Sequence, residues 1–303
     1  MKSILHDSFH GECAMAVALV TGASGTRSGI GLSTAITLAR AGHTVIATMR
    51  NLDSAGELPS IITNEQLPVS MLALDVEDDA SVARVFEQVL NEHGRIDVLI
   101  NNAGIGGPGT VDETPLSSFR QIMETNYFGA LRCIKAVLPS MVARHSGCII
   151  NVSSVVGRIA ISPQAPYAAS KHALEAMSEC LAQEVKAFNV RVAIIEPGPI
   201  ATPMAQRILT GQPKSAYPQG RRLAALFATF LKQPTSPYVV GEQIRQIVES
   251  DSWQLRYPAG SYAPLVFKWR QRTSDEEWVS LFGGNDTEFV AGVKRGLGLD
   301  VTL

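Results

Sequence analysis

Charge is scarce in this sequence: Asp, Glu, Lys and Arg make up 18% of its 303 residues, below the roughly 25% of an ordinary soluble chain. What charge there is nearly cancels, with 26 Lys and Arg against 28 Asp and Glu, and no block of one sign stands out. A nucleic-acid footprint, which needs a basic stripe to neutralise phosphates, is excluded. Cysteine is rare too. Cys13, Cys133, Cys148 and Cys180 show no close spacing resembling a metal knuckle, so reduced thiols in the cytoplasm are expected. The longest apolar stretch, 223–231, falls well short of the roughly 18 residues of a transmembrane helix. Asp7 and Glu12 interrupt the N-terminus, and the apolar run 14–20 leads into a glycine-rich turn, so no signal peptide is expected.

Against these absences stand 46% hydrophobic residues, ample for a core and incompatible with disorder. Short β-branched runs alternate with helical periodicities, the signature of repeated βαβ units. Strands are expected over 16–21, 44–49, 70–76, 98–101, 148–153, 190–196 and, more weakly patterned, 253–257. Runs such as AVALV, CIINV and RVAIIE suit strands covered on both faces. Helices are expected over 80–92, 115–144, 166–188 and 241–249, and between the first two strands Leu32, Ala35, Ile36 and Ala39 share one helical face that ends before Gly42. The expected fold is one doubly wound α/β domain with seven parallel strands and helices on both faces. It spans 15–260, with a flexible extension over 1–14, a substrate-lid excursion near 203–240 where prolines punctuate the chain, and a C-terminal extension, 261–303, packing on the same domain.

Three features carry chemistry. The first strand ends in a glycine-rich turn, Thr21-Gly22-Ala23-Ser24-Gly25-Thr26-Arg27-Ser28-Gly29-Ile30-Gly31, followed at once by a helix. Such a turn lets backbone N–H groups approach a pyrophosphate at a helix N-terminus. Tyr167 and Lys171 stand four residues apart in an expected helix, so an ammonium sits beside a phenol and stabilises its anion. An ordinary phenol titrates near ~10, and a positive neighbour lowers that toward working pH, suiting it to exchange a proton with an alcohol or carbonyl oxygen. Ser154, at the carboxyl end of a strand, is placed to hold the same oxygen. Ser153 is the neighbouring candidate, and alternation along the strand points the two in opposite directions.

These motifs, read in order, resemble the short-chain dehydrogenase/reductase family, whose fold is a Rossmann domain. The resemblance spans about Val17 to Met204. Its usual TGxxxGxG turn is stretched here by three residues between Gly22 and Gly29. Asp75-Val76 resembles the pair that contacts adenine, Asn101-Asn102-Ala103-Gly104 the NNAG signature, and Pro197-Gly198-Pro199-Ile200-Ala201-Thr202 the segment that meets the nicotinamide carboxamide. The resemblance implies a catalytic tetrad of Asn126, Ser154, Tyr167 and Lys171. In it Asn126 anchors a relay water at a helix kink, and Lys171 also holds the nicotinamide ribose. Ser154 is favoured over Ser153 by the family spacing to Tyr167.

A nicotinamide cofactor is therefore implied, held by Gly22, Ser24, Arg27, Ser28, Gly29, Ile30, Gly31, Arg50, Asp75, Val76, Asn102, Ala103, Gly104, Tyr167, Lys171, Pro197, Gly198, Ile200 and Thr202. NAD enzymes usually place an acidic residue at the end of the second strand to accept the ribose hydroxyls. Here that strand ends in Arg50, with Arg27 a second candidate and Asp53 too far along, so NADP(H) is expected. The runs Ala47-Thr48-Met49-Arg50, PYAASKHALE and Leu255-Arg256-Tyr257 look most like the 17β-hydroxysteroid and retinol dehydrogenase branch. A lipophilic alcohol or ketone is implied, and Leu223, Leu226, Phe227, Phe230 and Leu231 of the lid would line an apolar cleft, with Trp269 and Trp278 either closing it or anchoring the tail. Reduction of smaller polar carbonyls, and a non-catalytic nucleotide-sensing relative, are the alternatives. The family's habit of pairing its long helices implies a homodimer or homotetramer. His172 turns about 100° from Tyr167 around the helix and reads as surface or packing, and His6 and His10 lack a third ligand, so no metal site is expected.

Overall fold

Seven short runs of aliphatic and β-branched residues align at the centre of the molecule: β1 (Val17–Val20), β2 (Thr44–Met49), β3 (Val69–Ala73), β4 (Val98–Asn101), β5 (Gly147–Val152), β6 (Val190–Pro197) and β7 (Arg256–Ala259). All pair in parallel, in the order β3-β2-β1-β4-β5-β6-β7. The sheet is the expected seven-stranded doubly wound one. The computed structural model describes residues 15–24, 29–210 and 215–303. The 1–14 extension, with Cys13, His6 and His10, and the turn residues Arg27 and Ser28 lie outside the described residues.

Helices cover both faces: α1 (Ile30–Arg40), α2 (Leu58–Glu65), α3 (Asp79–His93), α4 (Leu116–Met123), α5 (Gly129–Arg144), α6 (Ala165–Val185), α7 (Pro203–Leu209), α8 (Gln219–Phe230), α9 (Pro237–Val248), α10 (Ala263–Gln271), α11 (Asp275–Gly283) and α12 (Asp286–Leu297). Strand alternation divides the core. Val20, Val45, Ile100, Ile150 and Ile195 face the layer of α1 and α9, whereas Leu19, Ile46, Leu99, Ile149 and Val192 face α3, α5 and α6. A third cluster, built around Trp278, Phe282 and Phe289, joins the C-terminal helices to α8.

Several boundaries differ from expectation, each for a local reason. β3 stops at Ala73, not 76, because the Asp75 carboxylate accepts the Glu77 N–H at 3.1 Å and turns the chain. β7 runs over Arg256–Ala259, not 253–257, and Trp253 is left 46% exposed. The expected helix 115–144 is broken into α4, a π turn over Glu124–Phe128 and α5. Ser236 caps α9 by accepting the Tyr238 N–H, so that helix begins four residues earlier than its apolar periodicity suggests. Helix α2 has only a short apolar face to announce it: Leu58 is buried, and Ile61 and Ile62 pack part-buried against the core.

Candidate active site

The strand order reverses between β1 and β4, and such switch points leave a crevice beyond the carboxyl ends of the strands. A cavity of about 550 Å³ opens there, running from the β1–α1 turn to the C-terminal helices. Gly22, Ser24, Gly29, Ile30 and Gly31 form one end of it. Gly22 has φ +68°, and a Cβ there would come within 2.7 Å of the Ala103 Cα, so this close approach of two backbones requires glycine. Asn102 ties them together, donating through Nδ2 to the carbonyls of Thr21 and Gly22 at 2.9 Å each. Thr21 Oγ1 in turn accepts the N–H groups of Asn102 and Ala103 at 3.0 Å. Among the NNAG residues, then, Asn102 shapes the turn, while Ala103 and Gly104 line the cavity beside it.

Arg50 stands at the mouth of this end, 61% exposed by its side chain and 3.9 Å from Glu77. Val76 lines the cavity as well, but Asp75 is engaged in its own turn and does not reach the wall. Glu77 does reach it. Its carboxylate accepts from Thr125 Oγ1 and from Gln121 Nε2, binding the wall to the start of the π turn.

Asn126 lies inside that π turn and is 1% exposed. An asparagine favours helix interiors poorly, and here its amide is spent on tertiary bonds. Oδ1 accepts the Ile105 N–H at 2.8 Å, and Nδ2 donates to the Ile105 carbonyl and to Ser170 Oγ, each at 2.9 Å. Asn126 thereby clamps the loop after Gly104 to α6 at Ser170, three residues past Tyr167 and next to Lys171.

Tyr167, in the first turn of α6, projects into the cavity against the 104–107 backbone, where a Cβ on Gly106 would approach its ring to 2.7 Å. Burial pushes its phenol up to about 12, and the neighbouring Ser154 hydroxyl pulls it the other way. Lys171 Nζ lies 5.8 Å from the Tyr167 ring centroid and donates to the Val152 carbonyl at 2.8 Å. Burial brings Lys171 down to about 8, opposed by the negative field of Glu175. Ser153 faces the other way, into the core under α6, and its Oγ is buried without a hydrogen-bond partner. Ser154, Tyr167 and Lys171 thus converge on one wall of the cavity; Ser153 borders it too, but its Oγ lies on the side of Gly157 and Glu175.

The opposite end of the cavity is apolar. Pro197, Gly198, Ile200 and Thr202 line its floor, Thr202 also capping α7 through the Ala205 N–H. Leu223, Leu226, Phe227 and Phe230 of α8 line its roof; Leu231, one residue beyond the helix, does not. The C-terminal helices supply a wall that the sequence motifs do not mark: Val266, Trp269, Phe282 and Leu297. Trp269 borders the cavity, whereas Trp278 anchors the tail by donating its indole N–H to the Ala160 carbonyl at 2.8 Å. Buried Arg222 of α8 donates to Asp286 and to the Phe282 carbonyl, locking roof to wall. Apolar spacing within α10–α12 was the available signal for this wall, but periodicity alone does not distinguish a face on a cavity from one on a core. His172 lies on the exposed side of α6, its ring nitrogen against the Ala168 carbonyl. Among the described residues no cluster of His, Cys, Asp or Glu could hold a metal ion.

The sequence pattern of the short chain dehydrogenase family matches residues 16–213. Retinol dehydrogenase 8 of Bos taurus is 40% identical over 259 residues, 80% of this chain and 82% of that protein. A short-chain dehydrogenase from Streptomyces avermitilis superposes with a TM-score of 0.72 at 32% identity, over 90% of this chain and 99% of the other. A metagenomic short-chain oxidoreductase in complex with NADP superposes with a TM-score of 0.65 at 25% identity, over 80% of this chain and 96% of the other.

Proposed function

Because the chain belongs to the short-chain dehydrogenase family of oxidoreductases, we propose that it interconverts a lipophilic alcohol and its carbonyl compound using NADP(H). The observation that carries this reading is the convergence of Ser154, Tyr167 and Lys171 on a cavity that has a glycine-lined end and an apolar end. The glycine end fits a dinucleotide. Gly29 caps α1 without a side-chain hydrogen bond, which leaves first-turn N–H groups for an anion, and a Cβ on Gly31 would overlap Gly22 and Asn102. Gly22, Ser24, Gly29, Ile30 and Gly31 would hold the pyrophosphate. Val76, Ala103 and Gly104 flank the adenosine side, with Asp75 supporting their turn. Pro197, Gly198, Ile200 and Thr202 border the nicotinamide. When bound there, the cofactor supplies a hydride for reduction or takes one up in oxidation.

The chain's own residues handle the proton. Tyr167 gives its phenolic proton to the carbonyl oxygen in reduction and receives it back in oxidation, Ser154 holds that oxygen, and Lys171 stabilises the phenolate. Asn126 fixes the wall opposite Tyr167 and keeps α6 in register with it. Arg50, largely exposed at the mouth, supports recognition of a ribose 2′-phosphate, in keeping with the NADP-bound structural relative. The apolar roof and C-terminal wall support a lipophilic substrate, in keeping with the retinol dehydrogenase relative. Exposed Leu116 and Phe128 beside α4 and α5 support self-association along the long helices, and the buried thiols of Cys133 and Cys148 support a reducing, cytoplasmic setting. No described helix is long and apolar enough to cross a membrane.

The test is incubation with NADPH or NADP+ and a panel of retinoid, steroid, long-chain and small polar carbonyls or alcohols, read by the absorbance of the reduced nicotinamide. Turnover of the lipophilic members is expected. Preference for small polar carbonyls would overturn the substrate class, and no turnover of any member with either nicotinamide would overturn the activity.

A further inference from the structure

Directly beneath the catalytic wall lies a buried polar cluster that the proton transfer just described does not use. Strand alternation places Ser153 of the segment after β5 and Glu196 of β6 on the face covered by α6, and Glu175 descends from that helix one turn beyond Lys171. Glu175 is 4% exposed, Glu196 0% and Ser153 3%. Two guanidinium groups reach in from the edge. Arg256 of β7 places Nε 3.0 Å from Glu175 Oε2 and 3.9 Å from Glu196 Oε1, and Arg158 places Nη1 3.3 Å from Glu196 Oε1. Arg256 is also bound by the exposed Glu179 at 2.6 Å, and Arg158 stacks over Phe267 of α10.

The cluster is closed on its charged side and open within. Glu175 Oε1, Glu196 Oε2 and Ser153 Oγ are all buried without a hydrogen-bond partner. A Cβ on Gly157 would overlap Ser153 Oγ and lie 3.3 Å from Glu175 Oε1, so two of these three atoms face one small space. Orphaned buried oxygens are costly, and two carboxylates in one low-dielectric site relieve the cost by sharing a proton.

We propose that Glu175, paired with Glu196 across such a shared proton, is a positioning residue that holds Lys171 as an ammonium and so sets the proton affinity of Tyr167. The inference rests on the assignment of Tyr167 and Lys171 as the proton-transfer pair. Arg256 stands nearer to Glu175 than to Glu196, so the negative charge of the pair is held on the residue one helical turn from Lys171. The electrostatics run the same way: burial, then Glu175, pushes Glu196 up to about 7, while Glu175 raises Lys171 against the lowering effect of burial. The other charged groups around the cluster, Arg158, Arg256 and Glu179, are ion-paired at its rim and do not reach Lys171.

The experiment compares the parent with Glu175→Gln, following both the pH profile of kcat/KM for alcohol oxidation and the ultraviolet difference titration of tyrosinate in the cofactor-free protein, with Tyr167→Phe to identify the signal. Removing the Glu175 charge lets Lys171 lose its proton at lower pH, and a neutral Lys171 no longer stabilises the phenolate. Both profiles are therefore expected to move to higher pH by about one unit. Folded Glu175→Gln with both profiles unmoved, or moved to lower pH, would overturn the inference, because a purely structural role leaves the titration where it was and a direct field on the phenol moves it down. If Glu175→Gln does not fold, Glu196→Gln carries the test. Its tyrosinate titration must also move to higher pH, since a second carboxylate that favours the Lys171 ammonium is gone, and an unmoved or lowered titration overturns the pairing. An inactive parent would count against the proposed function; an active parent with unmoved variants counts against this inference alone.

Discussion

The indole of Trp269, which borders the cavity, occupies the space that a Cβ on Gly296 would need, so α10 and α12 meet at a residue with no side chain. Gly296→Ala gains about 1 kcal/mol of helix propensity but forces the indole toward the cavity or the helices apart, at about 1–3 kcal/mol. The expected result is a lower urea midpoint and a raised KM for bulky lipophilic substrates. A variant with a higher midpoint and unchanged KM would show that Trp269 does not form a fixed wall.

Tyr167→Phe removes the phenolic oxygen and leaves the ring that packs against Gly106 in place. Turnover is expected to fall by about a hundredfold to ten-thousandfold, with NADPH affinity, measured by quenching of protein fluorescence, nearly unchanged. Normal rates would remove Tyr167 from the proton transfer.

Stability should depend on pH through Lys171. Its folded value, about 8, lies below the ordinary 10.5, so between them the unfolded chain binds more protons than the folded one and stability rises with pH. The rise ends near 10, where the unfolded chain begins to release a tyrosine proton that Tyr167, held up to about 12, retains in the fold. Thermal melts of the parent are expected to show a gain from pH 8 toward 10 that Lys171→Met lacks. Parallel curves for the two proteins would contradict it.

Arg50→Ala should discriminate between cofactors. Loss of a charge-assisted contact to a 2′-phosphate costs about 1.5–3 kcal/mol, roughly ten- to a hundredfold, and NADH has no such phosphate. The expected outcome is weaker NADPH binding with NADH binding unchanged, read by titration calorimetry. Equal losses for both would assign Arg50 to something other than the phosphate.

The sheet was legible because its central strands are buried on both faces, so runs such as 16–20 and 147–152 stay mostly apolar without alternation. Tyr167 and Lys171 were legible for a similarly local reason: four residues in a helix leave one face in common. Local pattern failed where a residue's partner is distant in sequence. The use of the Asn126 amide depends on Ile105 and Ser170, and Asp75 reads as a cavity residue until its own turn is seen to claim it.

What the sequence by itself determined is the order of the seven strands and the side chains delivered to the carboxyl edge of the sheet, since periodicity and short spacings are properties of the chain alone. Only the tertiary structure decided that Val266, Trp269, Phe282 and Leu297 complete the apolar wall, and that Ser153 and Glu175 face one small space near Lys171, with Glu196 joined to Glu175 through Arg256. Those residues come together from segments separated by tens of positions, and burial, not spacing, gives them their chemistry.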